Sequence, residues 1–259
     1  MVKNGFFPVF SINERIGFGM RVNILGITVD TFSMQETIER IGTAVNKHSQ
    51  MRVVTANPEI IYASEGDHRL RNLINTADIV TPDGIGVVWA AQRLGIPVQE
   101  RVTGIDLVQG LFPAANTGKW RVFLLGGKPG VAELAAGKAA AEYPQIVWAT
   151  EHGYFASQDE PQIIEKIRSF QPDIMLVGMG APRQEYWVAE HLGLAKVSIG
   201  VGGSFDALAG IVMRAPLRFQ ELHLEWLYRL WKQPWRWKRQ TVLPRFALKV
   251  IWQGIKKTW

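Results

Sequence analysis

Six short stretches of this 259-residue chain are rich in glycine or in polar side chains: Thr55-Ala56-Asn57-Pro58, Thr81-Pro82-Asp83-Gly84, Gly126-Gly127-Lys128-Pro129-Gly130, His152-Gly153-Tyr154, Gly178 to Glu185, and Gly200 to Asp206. Several set glycine or proline directly ahead of a helix signal. Such a junction turns free backbone N–H groups and the positive end of the helix dipole toward an anion, so the set fits a phosphorylated ligand. A lone glycine after a strand is usually only a turn residue, because turns need positive φ. Three glycine loops on one expected edge point to a binding site instead. The dinucleotide fingerprint is missing, since Gly178-x-Gly180 lacks its third glycine, and there is no Walker A sequence; both speak against a nicotinamide enzyme or an NTPase.

The elements that must hold these stretches are legible around them. Apolar, β-branched runs at 22–27, 52–56, 77–80, 121–125, 145–149, 173–178 and 196–201 alternate with helical periodicity. Ser33 and Glu36 have capping-box spacing ahead of Ile38, Ile41 and Val45, and Pro129 opens an alanine-rich stretch at 130–142. Alternating strands and helices predict a Rossmann-like α/β fold, a mostly parallel sheet in three layers with helices on both faces. In such sheets ligands bind past the carboxyl ends of the strands, where the six polar stretches fall.

Composition narrows the classes further. The chain is 47% hydrophobic and 20% charged, enough for one large core, with no uninterrupted apolar run long enough to span a bilayer as a helix. Without cysteine there is no disulfide framework, thiolate metal site or thiol nucleophile, and a cytoplasmic location is the default. Residues 214–259 hold eleven Lys or Arg against Glu221 and Glu225, a net +9; with +6 for the whole chain, residues 1–213 sum to −3. Six of the ten tryptophans lie in the same tail. We divide the chain into an extension at 1–20, an α/β domain at 21–213 and a basic aromatic appendage at 214–259. The first nineteen residues lack a continuous apolar segment and make a poor signal peptide.

Taken together, several motifs carry a specific resemblance: Thr55-Ala56-Asn57-Pro58-Glu59, Thr81-Pro82-Asp83-Gly84-Ile85-Gly86-Val87, Arg101-Val102-Thr103-Gly104-x-Asp106, Gly178-Met179-Gly180-x-Pro182-x-Gln184-Glu185, Gly200-Val201-Gly202-Gly203-x-Phe205-Asp206, and Arg214-Ala215-Pro216 followed by Leu224 to Leu230. The chain resembles the WecG/TagA/CpsF glycosyltransferases, glycosyltransferase family 26, over residues from about 21 to 240. That resemblance implies transfer of a sugar from a UDP-sugar donor to an undecaprenyl-diphosphate-linked N-acetylglucosamine, with inversion at the anomeric carbon, in cell-surface polysaccharide or teichoic acid synthesis. N-acetylmannosamine is the expected sugar; relatives are associated with glucose and mannosaminuronic acid as well.

Roles follow from the same resemblance. Asp83 matches the general base, without which an ordinary Asp-Gly turn would be the better reading. Thr55 and Asn57 match polar pocket residues, Asn57 also being placed to cap a helix opened by Pro58. Arg101 would hold an anion and Gln184 a sugar hydroxyl or the nucleotide. Gly126, Gly127, Gly180, Gly203, Tyr154 and Asp206 would form the donor site, Tyr154 and Asp206 on the uridine. No Asp-x-Asp triplet occurs, so metal independence is expected, with no cofactor. The departing diphosphate would then need cations, and Arg229, Arg236 and Arg239 match tail arginines that the family brings to its active site.

The tail also bears on location. Phe246, Ala247, Val250 and Ile251 recur at helical spacing beside Arg245, Lys249, Lys256 and Lys257, with tryptophans nearby. This is the composition of a helix lying on an anionic membrane surface, which a lipid-linked acceptor requires, so the expected location is peripheral, on the inner face of the cell membrane. The plainer alternative is a helix packed on the core with a solvated basic face. Single-stranded nucleic-acid binding through the Trp-rich basic tail would explain the tail but not the strand-end loops. A sugar-nucleotide-binding regulator would need an inert Asp83. A second subunit covering the tail's apolar face, hence a homo-oligomer, stays open.

Overall fold

Strand residues of alternating burial divide the apolar side chains between two faces, and that division builds the fold. The computed structural model describes residues 20–213, 215–216, 219, 225–232, 237 and 241–256. In chain order the elements are β1 (Arg21–Ile24), β2 (Ile27–Asp30), α1 (Met34–Asn46), β3 (Met51–Ala56), α2 (Pro58–Ala63), α3 (His68–Asn75), β4 (Ile79–Pro82), α4 (Ile85–Arg93), α5 (Gly104–Thr117), β5 (Arg121–Gly126), α6 (Val131–Glu142) and β6 (Val147–Glu151). They continue with α7 (Glu160–Phe170), β7 (Ile174–Gly178), α8 (Arg183–Glu190), β8 (Val197–Gly200), α9 (Ser204–Leu208), α10 (Glu225–Lys232) and α11 (Val242–Lys256).

Six strands form one parallel sheet in the order β4-β3-β8-β7-β5-β6. Val53, Ile79, Val122, Leu124, Ile174 and Leu176 point into one cluster with α1, α5 and α6. Their neighbours Phe123, Leu125, Met175 and Val177 point the other way, against Ile163 and Ile167 of α7 and Trp187 and Val188 of α8. On that same side Val54, Ala56 and Val80 pack with α2, α3 and α4. Period-2 side-chain alternation therefore gives the three layers expected of the sequence.

One expected strand is corrected. The run at 22–27 is not a single strand of the main sheet but the first half of an antiparallel hairpin, with Val22 opposite Val29 and Ile24 opposite Ile27. The chain reverses at Leu25 (φ 50°) and Gly26 (φ 89°), where two successive positive φ values make the tight turn whose twist suits a hairpin. Glycine supplies the second of these at little steric cost, and Asn23 Oδ1 accepts the Gly26 N–H at 3.1 Å. Buried Asp30 then fastens the hairpin to β4, accepting from Arg21 Nε at 2.7 Å and from the Val80 N–H at 2.8 Å.

Other local signals act as read. Ser33 and Glu36 form the capping box of α1, each side chain accepting the other's backbone N–H at 3.1 and 2.8 Å; such a cap contributes about 1 kcal/mol. The final helix α11 differs from the membrane-surface reading in which side faces where. Phe246 and Val250 are fully buried against the α2 and α4 side of the core rather than presented outward. Lys249 pairs with Glu65 at 2.8 Å, and Leu248, Trp252 and Ile255 form the exposed apolar positions. The stripe at 246 and 250 is a core stripe because the α2–α4 groove would otherwise expose Ile61 and Val87, both wholly buried.

Candidate active site

Because all six strands run the same way, their carboxyl ends form one row: the loops bearing Asp83, then Asn57, then Gly202, then Gly180, then Gly127, then Tyr154. At the usual strand spacing the row is about 24 Å long. Between β5 and β7 the chain departs to opposite faces, into α6 and α8, the position at which parallel sheets open a ligand crevice.

The Asp83 end is built from backbone pairing. The Asp83 N–H donates to the Ala56 carbonyl at 2.9 Å, and the Pro82 carbonyl accepts from the Val102 N–H at 3.1 Å. Thr81 Oγ1 donates to the Val102 carbonyl at 3.2 Å, so the Arg101-Val102-Thr103 segment lies zipped beside the strand end that carries Asp83. Asp83 and Arg101 are both half-buried. Thr103 caps α5, accepting the Asp106 N–H at 3.2 Å and donating to Asp106 Oδ2 at 2.6 Å. Asn57 caps α2 through the Ile60 N–H at 3.0 Å, and Thr55 Oγ1 donates to the Gly200 carbonyl at 2.9 Å. Thus Thr55, Asn57, Asp83 and Arg101 converge on two adjacent strand ends.

The middle of the rim is made of glycine packed on glycine. A Cβ on Gly126 would fall 2.5 Å from the Gly178 backbone, and one on Gly178 would fall 2.9 Å from both the Gly202 carbonyl and the Phe205 ring. By contrast Gly180 (φ 80°), Gly202 (φ 54°) and Gly130 (φ 86°) have open space where a Cβ would be. Backbone close to backbone below and empty space above is the form of a ligand floor. Two helices of ordinary length, α4 and α6, start at glycine with no side-chain cap, leaving first-turn N–H groups for an anion.

Gln184 and Glu185 sit beneath that floor, 3% and 4% exposed. The Gln184 carbonyl oxygen accepts from the Gly180 N–H at 3.2 Å and the Gly202 N–H at 3.0 Å, while its amide nitrogen donates to Glu185 Oε1 at 2.8 Å. Burial pushes the Glu185 carboxyl above the usual carboxylate range, outweighing the hydrogen bond from Gln184. At the far end Tyr154 is 67% exposed, and a cleft of about 440 Å³ opens beside it between Phe155, Glu160, Arg183, Tyr186 and Trp187. Gly203 is exposed and Asp206 half-exposed on the loop and first turn after β8. Arg229 lies on α10, but its side chain, like all of Arg236 and Arg239, is outside the described residues.

Asp30 was not singled out from sequence, and Phe205 and Glu185 were quoted within motifs but given no role. Asp30 supports β4 from outside the rim, and Phe205 fills the space under Gly178. Glu185 had a signal: it lies three residues before the buried Val188 and so shares the inward face of α8.

A parallel α/β sheet with a glycine-floored rim, two helices that start there at glycine without a side-chain cap, and a carboxylate at one end is a form suited to an anionic ligand. The profile of the glycosyl transferase WecG/TagA/CpsF family matches residues 22–259, and the chain belongs to that family. An N-acetylglucosaminyldiphosphoundecaprenol N-acetyl-beta-D-mannosaminyltransferase of Staphylococcus aureus strain MRSA252 is 38% identical over 237 residues, 89% of this chain and 92% of the relative. The protein of the same name from strain NCTC 8325 / PS 47 matches over the same shares at the same identity. Among the described residues no helix is long and apolar enough to cross a membrane.

Proposed function

We propose that this chain transfers an N-acetylmannosaminyl residue from UDP to the sugar hydroxyl of N-acetylglucosaminyldiphosphoundecaprenol. The acceptor oxygen bonds to the anomeric carbon from the face opposite the phosphate, the bond from that carbon to the phosphate oxygen breaks, and UDP leaves with the electron pair. Asp83 takes the acceptor proton. Its place on the rim, half-buried, one strand from Thr55 and Asn57 and beside the Arg101 segment, is the observation that carries the reading.

Around it, the first turns of α4 and α6 and the glycine floor suit the diphosphate, Arg101 adds a guanidinium near Asp83, and Tyr154 and Asp206 suit the uridine. Arg229, Arg236 and Arg239 supply the remaining positive charge to the leaving group. The enzyme works at the inner face of the membrane, where the lipid-linked acceptor is held. Leu227 and Trp231 of α10 and Leu248, Trp252 and Ile255 of α11 are exposed apolar side chains beside Lys232, Arg245 and Lys256, a composition suited to an anionic lipid surface.

Incubating the protein with UDP-N-acetylmannosamine and a short-chain lipid diphospho-N-acetylglucosamine tests the reading. UDP release coupled to a disaccharide-lipid product is expected. Neither product nor UDP with this donor, but turnover with UDP-glucose, would reassign the sugar; no turnover with any UDP-sugar would remove the transferase activity.

A further inference from the structure

Two donors converge on one oxygen under the rim. The Gly180 and Gly202 N–H groups belong to different loops, after β7 and after β8, and both point to Gln184 Oε1. Each donor residue has positive φ and empty space over its Cα, and the bonds to this oxygen add to the backbone contacts that already join the two loops, the Val201 N–H to the Val177 carbonyl at 2.9 Å and Gly178 against the Gly202 carbonyl. The shared oxygen joins them in only one of the two orientations of the amide. Rotated by half a turn, Gln184 would face two N–H donors with its own NH2 group and lose both bonds.

What sets the orientation is a carboxylate. Glu185 Oε1 accepts from Gln184 Nε2 at 2.8 Å, and a flipped amide would put oxygen against that acceptor as well. Among the described residues Glu185 forms no ion pair, and its buried Oε2 has no hydrogen-bond partner. Carrying a carboxylate there is costly for stability, which argues for a use beyond packing. Gly200 is shaped to the pair: a Cβ on it would sit 2.8 Å from Gln184 Nε2 and 3.4 Å from Glu185 Oε1.

We propose that Glu185 is a positioning residue of the transferase site, acting through Gln184 to lock the Gly180 and Gly202 loops in the spacing that receives the donor diphosphate. The proposal rests on the donor reading of the rim given above. It requires of Glu185 an acceptor at Oε1, not a negative charge and not contact with substrate.

Three full-length proteins separate these requirements: wild type, Glu185→Gln and Glu185→Leu. Glutamine keeps an acceptor, so Glu185→Gln should hold UDP affinity and donor KM within about threefold of wild type. Leucine removes the acceptor at similar volume, and freeing the amide should weaken UDP binding and raise donor KM by about tenfold, with a smaller change in acceptor KM. Hydrogen exchange of the Gly180 and Gly202 amides, followed by NMR without ligand, should accelerate in Glu185→Leu and stay slow in Glu185→Gln. Thermal unfolding of Glu185→Leu at or above the wild-type temperature shows that the protein has not simply failed to fold. Equal impairment of both variants, or unchanged exchange in Glu185→Leu, overturns the proposal. Wild-type protein that binds no UDP overturns the donor reading instead, and the exchange experiment still decides whether the lock exists.

Discussion

Thr55 Oγ1 donates to the carbonyl of Gly200 at 2.9 Å, joining the end of β3 to the end of β8 across 145 residues of chain. Asn57 follows the first strand and Gly202 and Gly203 the second, so this hydroxyl adds to the β3–β8 ladder in holding the Asn57 loop and the Gly202 loop in a fixed relation. Thr55→Val keeps the shape and removes the donor. It should cost about 1 kcal/mol in urea unfolding, leave the acceptor KM near wild type and raise the donor KM.

Asp83→Asn should abolish most turnover, by about 10²- to 10⁴-fold, while UDP affinity and thermal stability stay near wild type. The backbone bond from residue 83 to Ala56 does not depend on the side chain and is kept in this variant. Steady-state transfer and UDP calorimetry on one preparation check both halves. Turnover within a few fold of wild type would remove Asp83 as the base.

Glycines of the rim should divide by what surrounds them. Gly126→Ala must place a methyl 2.5 Å from the Gly178 backbone at φ 146° and should lose about 3 kcal/mol or more of stability. Gly180→Ala meets no atom within 4 Å and bears only the left-handed backbone cost, about 1–2 kcal/mol, but intrudes on the ligand space. Chemical denaturation with UDP titration should show the first variant unstable and the second folded but weak in binding.

The pH dependence of stability should carry the signature of Glu185. Burial raises the pKa of its carboxyl in the folded state, so at pH values between the unfolded and folded pKa the native protein holds a proton that the unfolded chain releases. Stability from this group is fully present below the unfolded carboxylate pKa and is lost as pH rises through the folded value. Glu185→Gln should flatten that decline and stabilise the protein at neutral pH, read from urea midpoints across a pH series.

The tail yields two opposed outcomes on one helix. Phe246→Ala, at a site 2% exposed, should cost about 3–5 kcal/mol, whereas Trp252→Ala, at a site 66% exposed, should leave stability within about 0.5 kcal/mol and weaken cosedimentation with anionic vesicles. Arg236→Ala should lower turnover by about 10²-fold without unfolding, and wild-type turnover should persist in excess EDTA.

Much of this was legible in the sequence for physical reasons that also mark where legibility stopped. Strands at 52–56, 121–125 and 173–178 announce themselves because both faces are buried and the runs are mostly apolar, as in Val122 to Leu125 and Ile174 to Val177. The hairpin did not, because its turn is Leu25-Gly26 rather than the Asn-Gly or Asp-Gly that usually marks one. For α11, periodicity announced an apolar stripe at 246 and 250 but not whether core or lipid covers it; only the groove between α2 and α4 decides that. In the site, the motif pairs Gln184 with Glu185, yet their joint hold on two loops depends on β7 and β8 being neighbours, which is a fact of topology.

Gln253 of α11 donates to the Asn23 carbonyl at 2.8 Å and accepts the Leu25 N–H at 2.9 Å, grasping the hairpin turn from the opposite end of the sequence. During synthesis the hairpin leaves the ribosome well before its clasp, which lies 230 residues further along the chain. The nascent protein must therefore wait, with the groove for Phe246 uncovered, until α11 has emerged, which makes that interval the window in which a chaperone would be most needed.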